Sequence, residues 1–367
     1  MDIIADKHIP FIGEFLHKYG NISYIEGKNI TAATLGFAEA LLVRTRTICD
    51  AKLLENSCIK YIGTPTIGTD HIDLDYCRRH GITVANAPGS NAPAVMQYVI
   101  TALLTLAMKK KANLAALTLG IIGVGNVGKQ VADAAKALNI NVLLNDPPRE
   151  AREGSRSFTP LDALLRQSDI VTLHLPLQVD TYGYAGTAFF QACKEGAWLL
   201  NTSRGEIIDE EALMQYRSKL GALAMDVWRN EPQISTKLLD MTDIATPHIA
   251  GYSLQGKRKA SQIILQAFAQ WCNDPDLVPE IPHPALTPTP LVIPEGNSMQ
   301  EKLCAVVQQT FPIWETDAQL RRQPAYFEEM RNSYPLRNDF TAYTVPQGDS
   351  AAATLQQLGL KELRTKS

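Results

Sequence analysis

Short apolar runs alternate with amphipathic segments over the first 92 residues of the chain. The amphipathic segments place apolar side chains at helical spacing, for example over residues 11–19 and 74–80. Strands that alternate with helices form parallel sheets covered by helices, so this pattern predicts a parallel-sheet α/β domain. The apolar runs that predict its strands are residues 3–5, 23–25, 40–43, 60–63 and 82–85.

A glycine-rich turn interrupts the same pattern in the next part of the chain. An apolar run at residues 121–122 is followed by Gly123, Gly125 and Gly128 and then by a segment with one apolar face, which begins at Val127. A second apolar run ends at Asp146. Strand, glycine turn, helix, strand and terminal acid together form the dinucleotide-binding fingerprint of a Rossmann domain.

Each residue of this fingerprint has a physical task. Gly123 permits the tight turn, Gly125 lets the backbone approach a pyrophosphate, and Gly128 lets the helix pack closely against the strand. Asp146 is expected to accept hydrogen bonds from the adenosine ribose and to repel a 2′-phosphate, which favours NAD over NADP. Arg149 follows closely enough to leave NADP open as an alternative.

The remaining apolar runs complete a doubly wound sheet at residues 170–173, 197–200, 222–225 and 244–245. A helix over residues 94–110, opened by Pro93, should lead into this second domain, and a helix over 255–272 should pack back onto the first. We therefore expect a substrate-binding domain from residues 1–92 with 252–278, a cofactor domain over 93–251, and a small third domain over 279–367. The third domain shows no catalytic motif and is expected to serve self-association. It follows a connector marked by Pro279, Pro282, Pro284, Pro288, Pro290 and Pro294, and it contains a helical stretch at 300–311 and a strand-like one at 340–345.

Composition narrows the class of protein. The 367 residues carry a formal net charge of −3, and the longest block of like charge is three lysines at 109–111, which argues against nucleic acid or an anionic membrane as the main partner. The six cysteines lack metal-binding spacing, so free thiols in a reducing cytosol and no metal site are expected. The sequence predicts no signal peptide, and its longest apolar stretch, residues 94–108, is shorter than a membrane span requires.

Three successive strand ends of the cofactor domain carry residues suited to alcohol–ketone interconversion. Arg204 follows one strand, Asp226 and Glu231 follow the next, and His248 ends the last. A histidine can remove the hydroxyl proton as hydride leaves, an acid can stabilise its cation, and an arginine can hold a carboxylate bidentately. In the first domain, the loops at residues 44–46, 64–71 and 87–91 suit an anionic, hydroxylated ligand, although Arg44 and Arg46 fit a solvated surface equally well.

The set GxGxxG…D, SRG, DVWxxEP and PHIAG resembles the D-isomer-specific 2-hydroxyacid dehydrogenase family. The resemblance implies a Rossmann NAD-binding domain, a flavodoxin-like parallel-sheet substrate domain and a small α+β C-terminal dimerisation domain in a homodimer. It implies Arg204, Glu231 and His248 as the catalytic residues, and Thr45, Thr66 and Tyr252 as substrate contacts. The expected NAD contacts, those of the glycine turn included, are Gly123, Gly125, Val127, Gly128, Asp146, Leu175, Asp226 and Gly251.

Two longer stretches, NDPPR at residues 145–149 and HIAGYSLQGK at 248–257, narrow this resemblance to one subfamily of these dehydrogenases. Beyond the proline-rich connector, only short patches resemble that subfamily, such as FEEMRNSY at 327–334. The expected reaction is the NAD-dependent oxidation of 4-phospho-D-erythronate at C2 to 2-oxo-3-hydroxy-4-phosphobutanoate, in pyridoxal 5′-phosphate biosynthesis. The alternatives are another D-2-hydroxyacid dehydrogenase, of phosphoglycerate or glycerate type, and an NAD-sensing binding protein like the C-terminal-binding-protein corepressors.

Overall fold

The computed structural model describes residues 1–276, 281, 288–296 and 298–363. The chain folds into two compact units, of which the first comprises Met1–Asn91 with Leu254–Leu286 and the second Ala92–Ser253 with Thr287–Ser367.

The first unit is built on a five-stranded parallel sheet with the strand order β2-β1-β3-β4-β5. This order is that of flavodoxin-like folds, and it confirms the predicted architecture of the substrate domain. The strands are β1 (Asp2–Asp6), β2 (Asn21–Ile25), β3 (Ala40–Leu42), β4 (Tyr61–Gly63) and β5 (Thr83–Ala85). The helices between them are α1 (Gly13–Leu16), α2 (Ala32–Leu35), α3 (Ala51–Leu54) and α4 (Leu74–Arg79).

The second unit begins with helix α5 (Ala92–Lys110) and contains a six-stranded parallel sheet with the order β7-β6-β8-β9-β10-β11. The order reverses between β6 and β8, and ligands of such sheets bind beyond the carboxyl ends of the strands at this reversal. The strands are β6 (Thr118–Ile122), β7 (Asn141–Asn145), β8 (Ile170–Leu173), β9 (Trp198–Asn201), β10 (Ala222–Met225) and β11 (Ile244–Ala245). The helices are α6 (Asn126–Ala137), α7 (Pro147–Glu153), α8 (Leu161–Gln167), α9 (Thr187–Ala192), α10 (Glu210–Tyr216) and α11 (Thr236–Met241).

Helix α5 is the one helix of the described residues that is long and apolar enough to cross a membrane. It has 19 residues, more than the 94–108 stretch suggested, and 83% of its apolar window is buried inside the protein. A buried core helix passes the same test of length and composition.

Helix α12 (Leu254–Trp271) returns the chain to the first unit. The ring of Phe268 lies edge-on to that of Tyr61, with 5.2 Å between centroids, and the Tyr61 hydroxyl donates to the Ile264 carbonyl at 3.1 Å. The helix thus covers one face of the first sheet.

The C-terminal residues form a small parallel sheet of their own and also share a core with the cofactor domain. The Gln97 amide of α5 donates to Thr310, and the Asp317 carboxylate accepts a hydrogen bond from the Ala245 amide of β11 at 2.7 Å. Pro290 lies in a strand, whereas Pro279, Pro282 and Pro284 lie outside the described residues. The elements are β12 (Thr289–Pro290), α13 (Met299–Thr310), α14 (Ile313–Arg322), α15 (Phe327–Asn332), β13 (Tyr343–Val345), α16 (Ser350–Gln357) and β14 (Lys361–Glu362).

Candidate active site

The glycine turn after β6 has the geometry that dinucleotide binding requires. Gly123 has φ +85°, and a Cβ there would lie 2.6 Å from the carbonyl oxygen of His174. A Cβ on Gly128 would lie 2.0 Å from the carbonyl oxygen of Gly123. A Cβ on Gly125 would meet no atom within 4 Å among the described residues, so the backbone at the start of α6 faces open space. This cradle fits the pyrophosphate of NAD, which the helix N-terminus attracts.

Asp146 lies directly beyond β7, beside this cradle. Its carboxylate accepts hydrogen bonds from the Val124 and Arg149 amides at 2.8 and 3.0 Å. The Arg149 guanidinium binds both oxygens of Glu153, at 2.8 and 2.7 Å, and donates to the Val124 carbonyl. Because a carboxylate already neutralises Arg149, this arginine favours NADP less than its position in the sequence suggested.

Two of the predicted cofactor contacts, Val127 and Leu175, flank the turn. Val127 is half-buried on α6 and packs on the core, whereas Leu175 follows β8 close to Gly123. The half-buried His174 directly precedes Leu175, and its ring contacts the hydroxyls of Thr172 and Thr202. Burial lowers the pKa of His174 to about 3, so this histidine is neutral and lines the strand ends without a charge.

Arg204 lies in a tight turn beyond β9. The Asn201 side chain shapes this turn, because its amide donates to the Arg204 carbonyl and its oxygen accepts from Ser203. A Cβ on Gly205 would lie 2.0 Å from the carbonyl carbon of Trp228. The turn that carries the arginine therefore packs directly against the turn that carries Glu231.

Glu231 and His248 form the acid–histidine pair that the sequence predicted. The Glu231 carboxylate binds His248 Nδ1 at 2.7 Å through one oxygen and accepts the Trp228 amide at 3.0 Å through the other. Burial opposes the charge on Glu231, but His248 and Arg331 outweigh it and lower the pKa of this carboxyl. An ionised Glu231 makes Nδ1 the donor, so Nε2 of a neutral His248 is the nitrogen that can accept a proton.

Asp226 holds the loop that carries this histidine. One carboxylate oxygen accepts from the Thr246 hydroxyl and the Ile249 amide, at 2.6 and 2.8 Å, and the other from the Ala250 amide at 2.9 Å. Burial raises the pKa of Asp226, while His248 and these donors oppose that effect. His248 itself has φ +57°, a conformation that residues other than glycine adopt rarely and mostly where the surrounding structure enforces it.

Two arginines from beyond α14, where no catalytic motif was predicted, reach this same site. Arg331 Nη1 lies 3.5 Å from Glu231 Oε2, and Arg337 donates to the carbonyl oxygens of Ile249 and Ala250. The ring of Tyr252, which follows Gly251, lies edge-on to that of Tyr334 at 6.3 Å. The only sequence signal for Arg331 was its place in the patch FEEMRNSY.

The substrate contacts expected in the first unit lie beyond the carboxyl ends of β3 and β4. Thr45 is exposed, and the Thr66 hydroxyl contacts that of Thr64 at 2.8 Å and donates to the Gly68 carbonyl. Arg44 donates to the fully buried Asp6 at 3.1 Å, at the point where the strand order reverses between β1 and β3.

Known proteins share this fold. Residues 104–250 match the family "D-isomer specific 2-hydroxyacid dehydrogenase, NAD binding domain", and residues 286–359 match "Domain of unknown function (DUF3410)". A D-lactate dehydrogenase from Aquifex aeolicus, solved with NAD and lactic acid, is 26% identical with a TM-score of 0.65, and the match covers 75% of this chain and 97% of that one. Fold and site thus define an NAD-dependent 2-hydroxyacid dehydrogenase.

Full-length relatives narrow the class further. The erythronate-4-phosphate dehydrogenase of Bacteroides fragilis is 41% identical over 94% of this chain and 99% of its own length. The enzyme of the same name from Cronobacter sakazakii is 37% identical over 98% of both chains. The chain belongs to the erythronate-4-phosphate dehydrogenase family.

Proposed function

We propose that this protein oxidises the C2 hydroxyl of 4-phospho-D-erythronate to give 2-oxo-3-hydroxy-4-phosphobutanoate, a step of pyridoxal 5′-phosphate biosynthesis. The observation that carries the proposal is the Glu231–His248 hydrogen bond at 2.7 Å, in the same compact unit as the glycine cradle and Arg204. The relatives that match nearly the whole chain bear the name of this activity. NAD supplies the acceptor for the hydride.

The residues of the site have distinct tasks in this reaction. Nε2 of neutral His248 removes the proton of the C2 hydroxyl, and ionised Glu231 stabilises the imidazolium that results. The Arg204 guanidinium holds the substrate carboxylate through two parallel hydrogen bonds and polarises the developing carbonyl. Thr45, Thr66 and Tyr252 supply hydroxyls for the rest of the substrate.

The proposal extends to the assembly and its surroundings. Residues 279–367 serve as the dimerisation domain of a homodimer, beside the substrate domain of residues 1–92 with 252–278 and the cofactor domain of residues 93–251. All six cysteines are free thiols, which supports a reducing compartment such as the cytoplasm. Light scattering on the purified protein tests the dimer, because a monomeric mass at micromolar concentration would exclude it.

The activity is tested by mixing the purified protein with NAD and 4-phospho-D-erythronate and following NADH absorbance. A 2-keto acid is added to reoxidise cofactor that stays bound. Unphosphorylated D-erythronate is the matched substrate, and D-3-phosphoglycerate and D-glycerate test the neighbouring specificities. Turnover that requires the phosphate supports the proposal, whereas preferred turnover of phosphoglycerate or glycerate keeps the chemistry and rejects the substrate. Absence of turnover with all four acids would point to a binding protein.

A further inference from the structure

The C-terminal part brings a charged side chain to the catalytic pair. Arg331 lies on α15, 100 residues beyond Glu231 in the chain, and its Nη1 is 3.5 Å from Glu231 Oε2. The same carboxylate oxygen binds His248 Nδ1 at 2.7 Å, so His248 and Arg331 share one oxygen of Glu231. The Arg331 guanidinium also hydrogen-bonds the Tyr252 side chain.

The surroundings of Arg331 differ from those of an arginine that serves stability alone. The Arg331 side chain is only 14% exposed, and its buried Nε has no hydrogen-bond partner among the described residues. Arg321, on the preceding helix, instead uses all three of its nitrogens, on Asp317 and on the carbonyl oxygens of Leu239 and Thr242. Burying a guanidinium with an unsatisfied donor is costly, so its position beside Glu231 calls for a reason other than stability.

We propose that Arg331 is a positioning residue of the dehydrogenase, which holds the Glu231 carboxylate against His248 and offsets part of its negative charge. The C-terminal domain, whose family has no assigned function, thereby completes the acid–histidine pair. This proposal rests on the role proposed above for His248 as the proton acceptor.

The charge of Arg331 bears directly on the protonation of His248. The two distances to the shared oxygen place Nη1 within about 6 Å of Nδ1. A positive charge at that distance disfavours the imidazolium, so Arg331 keeps more of His248 neutral and able to accept a proton. The other charged or titratable groups around the pair are Asp226 after β10, Tyr252 after β11, Arg337 after α15 and Tyr98 on α5.

The effect of the Arg331 charge on His248 is tested in the full-length protein by replacing that charge. In Arg331→Met the imidazolium of His248 loses a repelling neighbour, so its titration should move to higher pH than in wild-type protein. The readout is the imidazole C–H resonance of His248 in histidine-labelled protein, assigned by its loss in His248→Asn. The acidic limb of the pH profile of kcat/KM should move by the same amount.

Two variants serve as controls. Arg331→Lys keeps the charge and should restore the titration of wild-type protein, with a lower kcat because a single ammonium cannot reproduce the fork. Arg321→Met removes a C-terminal arginine away from the pair and should lower the melting temperature without moving the titration. Arg331→Gln replaces Arg331→Met if circular dichroism shows that the latter is unfolded.

The two possible failures can be told apart. An unchanged His248 titration and kcat in a folded neutral variant would overturn the role of Arg331, whatever the melting temperature does. Wild-type protein that turns over none of the hydroxy acids would instead reject the proposed function, and the resonance would still report whether Arg331 acts on His248.

Discussion

The contact between Gly205 and the Trp228 backbone predicts a large effect of adding one methyl group. In Gly205→Ala the new Cβ would lie 2.0 Å from the Trp228 carbonyl carbon and 2.3 Å from the Arg229 nitrogen. Both are backbone atoms, and a Cβ must lie at least 3.0 Å from such an atom. The turns after β9 and β10 must therefore separate by about 1 Å. The substitution therefore moves Arg204 away from Glu231 without altering either side chain.

The expected cost follows from that displacement. A misplacement of about 1 Å between catalytic groups lowers turnover roughly 100-fold, and overpacking of this kind costs about 1–3 kcal/mol of unfolding free energy. Steady-state kinetics should show the loss in kcat, with the KM for NAD little changed because the glycine cradle after β6 is untouched. Urea denaturation measures the stability.

A second glycine in the same unit provides the matched control. Among the residues that the structure describes, a Cβ on Gly186 would meet only the Gly183 carbonyl oxygen, at 3.4 Å, and the φ of −98° at Gly186 suits any residue. Gly186→Ala should thus keep wild-type kcat. A Gly205→Ala enzyme with kcat within about threefold of wild type would show that the two turns are not coupled through this contact.

Three further predictions concern other parts of the site. His248→Asn should lower kcat by roughly two to four orders of magnitude while the protein melts normally, because asparagine tolerates φ +57° but cannot act as the base; near-normal turnover would reject the role of His248. Glu153→Ala should release the Arg149 guanidinium from its ion pair. The ratio of kcat/KM for NADP to kcat/KM for NAD should then rise about tenfold, which is the effect of one charge-assisted hydrogen bond. An unchanged ratio would contradict this prediction. Burial lowers the pKa of His174 from 6.5 to about 3, so the unfolded chain binds more protons than the folded chain between these two pH values. Stability is therefore lost as pH falls below 6.5. In urea unfolding, the difference in the free energy of unfolding between pH 7 and pH 5 should be smaller in His174→Gln than in wild type.

Much of the fold could be predicted because each central strand is a short apolar run buried on both faces. Strands β8 and β10 begin and end where the apolar runs do. The predicted helix over residues 11–19 is instead reduced to α1, because Phe11 adopts φ +64°, which no helix continues. Apolar spacing alone cannot reveal such a backbone reversal.

The acid–histidine pair could be predicted for a related reason. Glu231 and His248 follow neighbouring parallel strands, and the carboxyl ends of such strands meet at one edge of the sheet. Arg331 could not be predicted in this way, because it lies on helix α15, 100 residues from Glu231 in the chain and not at the end of a strand of that sheet. The shared core of α5 and α13 was missed for the same reason, since it depends on tertiary contacts such as that of Gln97 with Thr310.

The hydrogen bond from the Ala245 amide to Asp317 joins the C-terminal part to the open edge of the cofactor sheet. The match to the solved lactate dehydrogenase takes in nearly all of that protein but three-quarters of this chain, so part of this chain lies outside the fold that the two share. Removing the C-terminal part would expose an unpaired strand edge and the apolar face of α5, both of which promote aggregation.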